Sequence, residues 1–114
     1  MLEIKDKQDY ESAIINNKCC LFYITADWCD PCQKIKPTIK ELEEQYKDKI
    51  TFFSVNIDMD DEDFPFCRDD VSSIPTFLVF VGLNCLEERL VGADKKGLIK
   101  LLEDVDKQYL TQSS

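Results

Sequence analysis

Cys19-Cys20-Leu21-Phe22-Tyr23-Ile24-Thr25 is an unbroken apolar run rich in β-formers, and it limits the folds open to this chain more than any other stretch. A strand with one wet face alternates apolar and polar residues. This one does not, so both faces need cover, as in the interior of a parallel or mixed sheet. The flanking sequence supplies the covering helices. Before the run, a short strand over Leu2–Ile4 is followed by Asp6 or Asp9, either of which can cap a helix. That helix turns Tyr10, Ala13 and Ile14 inward at helical spacing. After the run, the loop Ala26-Asp27-Trp28-Cys29-Asp30 leads to Pro31, whose missing N–H costs nothing in a first helical turn. Ile35, Ile39, Leu42 and Tyr46 then recur along one stripe, and Pro37 is expected to kink the helix.

The rest of the chain keeps alternating. Ile50–Ile57 and Thr76–Val81 read as strands; between them an acidic stretch with Phe64, Cys67 and Val71 on one side predicts a short helix or turn. Gly82-Leu83-Asn84 is expected to turn the chain into a strand over Leu86–Val91, giving a hairpin that Gly92 ends. Asp94 caps a last helix with Leu98, Leu101, Leu102 and Val105 facing inward, and residues 111–114 are expected to fray. The order β-α-β-α-β-α-β-β-α predicts one α/β domain over residues 1–114, a central sheet with helices on both faces.

Charge and length remove several functions. The chain has 114 residues and a net charge of −9, a surface that repels phosphate backbones, so nucleic-acid binding is not expected. The segment from Asp58 to Asp70 concentrates the acid, which reads as a solvated surface that at most steers the chain toward basic partners. No apolar run approaches the ~18 residues that span a bilayer. Met1-Leu2-Glu3-Ile4-Lys5-Asp6 lacks the apolar stretch of a secretory signal, so a cytoplasmic, reducing setting is expected.

The chain holds 6 cysteines and no histidine. Without histidine, Ser-His and Cys-His nucleophilic machinery is excluded. A structural zinc site is not expected: it needs four well-placed ligands, and the chain offers one C-x-x-C, no second one and no histidine. Cys19, Cys20, Cys67 and Cys85 read as buried small hydrophobes or spare thiols. Cys29 and Cys32 differ because they stand at a strand-to-helix junction. Free N–H groups and the helix dipole there favour a thiolate, and two intervening residues on a first turn let the second sulfur come within bonding distance. Cys29 is expected to be exposed at the helix edge and Cys32 shielded one turn in. An accessible attacker and a covered resolver are what thiol–disulfide exchange needs.

Trp28-Cys29-Asp30-Pro31-Cys32, Pro37 five residues later, Val55-Asn56-Ile57-Asp58, Ser73-Ile74-Pro75-Thr76 and Val91-Gly92-Ala93 occur together and in order. In these motifs the chain resembles the thioredoxin family over nearly its whole length. The resemblance implies the thioredoxin fold, a mixed sheet flanked by helices, and a protein disulfide reductase serving electron transport and cell redox homeostasis. It implies that Cys29 attacks a substrate disulfide and that Cys32 resolves the mixed disulfide. It implies a cis Pro75 against the dithiol, with the backbone of Ile74 pairing with the substrate as an added strand. Trp28, Asp30, Pro31, Ile74, Pro75, Gly92 and Ala93 would form the docking surface. No bound cofactor is implied: the redox group is the Cys29–Cys32 disulfide, recharged by thioredoxin reductase, a flavoprotein using NADPH. The partners are disulfide-bearing proteins, and the chain is expected to act as a monomer.

Three departures from the family pattern stand out. Asp30 replaces the usual glycine, and a carboxylate ~6 Å from Cys29 opposes its thiolate by on the order of 1 kcal/mol. That is enough to retune a two-electron couple by tens of mV. Tyr23 stands where many thioredoxins bury an aspartate that relays protons to the resolving cysteine; a phenol is a poor base at pH 7, and the residue reads as strand packing. Lys34 and Lys36 could offset lost proton handling. Between Phe80 and Gly92 there is also one residue more than the common spacing. Asp30 and Tyr23 give weight to a second reading, an adaptor with a slow or idle dithiol. A third is a metal or cluster site shared between two chains through C-x-x-C.

Overall fold

A computed structural model describes residues 1–57 and 73–110. Its strands are β1 (Leu2–Ile4), β2 (Cys19–Thr25), β3 (Thr51–Asn56), β4 (Thr76–Val81), β5 (Asn84–Cys85) and β6 (Leu90–Val91). Its helices are α1 (Lys7–Asn16), α2 (Asp30–Gln45) and α3 (Lys95–Val105). The acidic stretch expected to form a short helix or turn, and the tail expected to fray, lie outside the described residues.

The sheet order is β1-β3-β2-β4-β5, with β6 also on β4, so β2 is interior, as its apolar run requires. It runs parallel to β3 and antiparallel to β4, which makes the sheet mixed. Alternation splits its side chains between two cores. Leu21 and Tyr23 join Ile35, Ile39 and Leu42 of α2 and Leu98 and Leu102 of α3. Cys20, Phe22 and Ile24 join Tyr10 and Ala13 of α1, with Ile14 half-buried against them. Phe22 anchors that side, its ring 4.7 Å from Tyr10 and 5.5 Å from both Phe53 and Phe80. Burying such a side chain contributes about 1.5–3 kcal/mol.

Both aspartates offered as caps of the first helix are used. Asp6 is the N-cap, its Oδ1 accepting from the Asp9 N–H at 2.8 Å, while Asp9 Oδ2 accepts from the Lys5 N–H at 3.0 Å. Asp94 caps α3 by accepting from the Gly97 N–H at 3.0 Å. Leu98, Leu102 and Val105 are buried; Leu101, expected inside, is half-buried at the core's margin. A π-helical turn, Asp106–Leu110, prolongs α3 beyond the expected pattern.

Two strand expectations need correction. The Ile50–Ile57 strand is trimmed to Thr51–Asn56, because its partner β2 ends at Thr25; one last bond runs from the Ile57 N–H to the Thr25 carbonyl at 2.8 Å. The single strand over Leu86–Val91 is two short ones, β5 and β6. Phe80 pairs with Cys85 and Phe77 with Leu90, so the four residues Leu86 to Arg89 face only Leu78 and Val79. The ladder continues to one bond, Leu86 N–H to the Val79 carbonyl at 2.9 Å, and then the surplus residues leave it, with Glu87 and Glu88 exposed. A doubled count on one side of a pair cannot stay in register, which is the bulge rule. Asn84, expected in the turn, opens β5; Gly82, at φ +62°, supplies the left-handed turn conformation.

Candidate active site

Sheet register brings three segments to one end of the molecule. Ile24 of β2 pairs with Thr76 of β4, and Thr76 pairs with Val91 of β6. The loop leaving β2 (Ala26–Cys29), the loop entering β4 (Ser73–Pro75) and the turn after β6 (Gly92, Ala93) are therefore neighbours. The Gly92 N–H donates to the Pro75 carbonyl at 2.7 Å, tying the last two together. Gly92 has φ +102°, a conformation that favours glycine. The Ile74–Pro75 peptide bond is cis; Pro75 is buried, and Ile74 packs half-buried against the core that holds both cysteines.

The loop after β2 closes on itself before the helix starts. The Cys29 N–H donates to the Ala26 carbonyl at 3.2 Å, and Gln33 Nε2 donates to the same oxygen at 3.4 Å. Cys29 is the N-cap of α2, in extended conformation, with Asp30 and Pro31 as the first helical residues. Its Sγ accepts from the Cys32 N–H at 3.2 Å, one of the N–H groups that a helix start leaves unpaired. The two sulfurs are joined in a disulfide, with Cα atoms 5.3 Å apart. The expectation of an exposed Cys29 is corrected: it is 5% exposed and Cys32 0%. As N-cap its side chain folds back over the first turn toward Cys32, so the pair is sealed while joined. Cys29 is still the outer of the two.

Around the pair the surface is open. Trp28 is 67% exposed, and Asp27, Asp30, Pro31 and Ala93 are exposed beside it. On α2, Lys34 is exposed and Lys36 half-buried. A groove of about 720 Å³ lies elsewhere, along β1 and α1, and neither cysteine lines it. The joined cysteines thus lie covered at the edge of an exposed surface, a geometry suited to a macromolecular substrate.

Beneath the pair lies a contact that sequence reasoning missed. Tyr23 is fully buried, and its hydroxyl donates to the main-chain carbonyl of Cys32. Burial raises the phenol's pKa, and the nearby Thr25 hydroxyl works against that shift. The phenol is therefore a neutral donor at physiological pH. A tyrosine inside an otherwise apolar run was the available signal, since a buried hydroxyl needs a partner.

The other described cysteines have different surroundings. Burial, with neighbouring Cys20 adding to it, pushes the Cys19 thiol up to about 12; burial alone pushes Cys20 up to about 11. Cys20 donates to the Ala13 carbonyl at 3.2 Å, and Cys85 is half-buried. Cys67 lies outside the described residues. Among the described residues, no three His, Cys, Asp or Glu side chains gather to hold a metal ion.

A mixed sheet between helices, with a disulfide fastening the first turn of the helix after its interior strand, defines a thiol–disulfide oxidoreductase. The chain belongs to the thioredoxin family, whose model matches residues 1–104. It is similar to Thioredoxin-T of Drosophila melanogaster, with 36% identity over 99 residues, 87% of this chain and 61% of that protein's length. Thioredoxin of Geodia cydonium shares 31% over 97 residues, 83% of this chain and 89% of the relative. In three dimensions the chain resembles Plasmodium falciparum thioredoxin, with a TM-score of 0.81, 26% identity, and 91% and 98% of the two chains covered. A Mycobacterium leprae relative, named bifunctional thioredoxin reductase/thioredoxin, is 30% identical over 105 residues, 91% of this chain and 22% of that protein. Another relative, of Schizosaccharomyces pombe, is named mitochondrial; it is 36% identical over 94 residues, 82% of this chain and 68% of its own length. The redox group of this family is the protein's own disulfide. Among the described residues no helix is long and apolar enough to cross a membrane.

Proposed function

We propose that this chain reduces disulfides in other proteins and is recharged by a thioredoxin reductase. The observation that carries the reading is the Cys29–Cys32 disulfide at the N-terminus of α2, buried at the edge of an exposed, partly apolar surface. In the reduced protein, Cys29 as a thiolate attacks one sulfur of a substrate disulfide. A Cys29–substrate bond forms, the substrate S–S bond breaks, and the departing sulfur takes up a proton. Cys32 then loses its proton and attacks Cys29 Sγ, closing the internal disulfide and releasing the second substrate thiol. Two electrons pass to the substrate, and a dithiol of the reductase, supplied by NADPH through a flavin, returns them. The reductase fused to the mycobacterial relative supports that partner.

Trp28, Asp30, Pro31, Ile74, Gly92 and Ala93 receive the substrate, with the backbone beside cis Pro75 offering strand-type hydrogen bonds. One chain suffices for this chemistry, so we assign a monomer. The compartment is one that keeps thiols reduced, such as the cytoplasm.

Insulin reduction monitored with a thioredoxin reductase and NADPH tests the reading. Turnover in the parent chain that disappears in Cys29→Ser is expected. A parent chain that does not reduce insulin, yet retains bound proteins through the Trp28 surface, would establish the adaptor reading instead.

A further inference from the structure

Tyr23 is the largest of the fully buried side chains, and its hydroxyl leaves β2 to reach a different element. We propose that Tyr23 is a positioning residue for the second half of the exchange, holding the Cys32 peptide where its sulfur closes on Cys29. The inference rests on the reading of Cys29 as attacker and Cys32 as resolver.

The Cys32 peptide is held at both of its polar ends. Its N–H donates to Cys29 Sγ at 3.2 Å, and its carbonyl accepts from the Tyr23 hydroxyl. The first of these anchors is made by the reacting partner itself and changes whenever Cys29 bonds to a substrate. The second does not take part in the reaction. The helix alone supports this turn less than usual, because Pro37 has no N–H to give the Gln33 carbonyl four residues earlier. The Tyr23 hydroxyl adds a tether from the sheet to the adjacent Cys32 carbonyl. It is rigid: the Tyr23 ring stacks on Phe77 with centroids 5.4 Å apart and planes at 20°, so the hydroxyl projects from a fixed point. It is also neutral. Apart from tyrosines and cysteines, the buried polar side chains among the described residues are Thr38 and Thr76, and neither is a carboxylate. Tyr23 therefore acts on the resolver through geometry rather than by taking its proton.

Ellman's reagent, an aromatic disulfide, separates the two half-reactions. With Cys67 and Cys85 replaced by Ser throughout, reduced protein releases one coloured thiolate when Cys29 attacks and a second when Cys32 resolves. Tyr23→Phe keeps the ring and its stack while removing the hydroxyl. The second release is expected to slow roughly two- to tenfold, the span of one hydrogen bond, with the first within twofold of the parent. Phe77→Leu, which frees the ring but keeps the hydroxyl, should show the same selective slowing. A Tyr23→Phe second phase at the parent rate overturns the proposal, as does slowing of both phases in proportion, which is the mark of general loosening. Failure of the underlying reading looks different: the second release would survive Cys32→Ser, or be missing from the parent.

Discussion

Reducing the Cys29–Cys32 bond should lower the unfolding free energy by about 2 kcal/mol. The two cysteines are 3 positions apart, so the bond closes a very short loop. In the chain-entropy account a loop of about four residues restricts the unfolded chain by about 6 cal/mol/K, which is about 2 kcal/mol at 25 °C. The native state loses little when the bond opens. Both sulfurs are already buried, and the Cys32 N–H can keep Cys29 Sγ as its acceptor. The difference should therefore stay near the entropic figure. A thermodynamic cycle gives it a second meaning: folding favours formation of this disulfide by about 30-fold over the unfolded chain. Urea unfolding of oxidised and phosphine-reduced protein, followed by far-ultraviolet circular dichroism, measures it. A mildly acidic buffer suppresses exchange with Cys19 and Cys20. With a urea slope of about 2 kcal/mol/M, the midpoints should differ by about 1 M. Coincident midpoints, or a reduced form that outlasts the oxidised one, would refute the reasoning, because the folded first turn would then resist the bond.

Asp30→Asn removes the charge beside Cys29 at nearly constant shape; iodoacetamide should alkylate the reduced variant about two- to fivefold faster at pH 7, and an unchanged rate counts against repulsion of the thiolate. Gly92→Ala should destabilise by about 1–2 kcal/mol through backbone conformation alone, since φ is +102° and a Cβ there would meet nothing within 4 Å. Chemical denaturation at pH 7 reads that cost, and a neutral result contradicts it. Cys19 and Cys20 ionise near 9.0 when free but only at about 12 and about 11 when folded. Their contribution is complete below pH 9 and is lost as the pH rises toward those folded values, because the unfolded chain releases its thiol protons first. Denaturation midpoints should fall steadily above pH 9, and Cys19→Ala/Cys20→Ala should flatten that slope.

Where each segment's own residues decide its structure, the fold was legible. Cys19–Thr25 forms the interior strand within the expected boundaries because no register or turn competes with seven consecutive residues that all suit burial. Asp6 and Asp94 cap their helices through side-chain bonds three residues away, a strictly local interaction. The outer strands were less legible. Leu86–Val91 alternates well enough for a strand, but pairing depends on how many residues β4 presents, and the surplus appears only once the two are laid side by side. The dithiol was legible from its spacing and its helix start. Its burial was not, because a cap residue's side-chain direction depends on the bond it makes. Tyr23 reads as packing until α2 is placed against the sheet, since its partner is a carbonyl nine residues away on another element.

The interruption between β5 and β6 has a consequence for how the protein behaves at high concentration. A long, flat border strand is a template on which other chains can build intermolecular cross-β structure. Here that border is cut into two pieces of 2 residues each, and Glu87 and Glu88 occupy the gap, exposed. An incoming strand would find no continuous ladder and would bring its backbone against two carboxylates. The side of the sheet beyond β4 is thus guarded against aggregation by the same surplus of residues that spoiled its regularity.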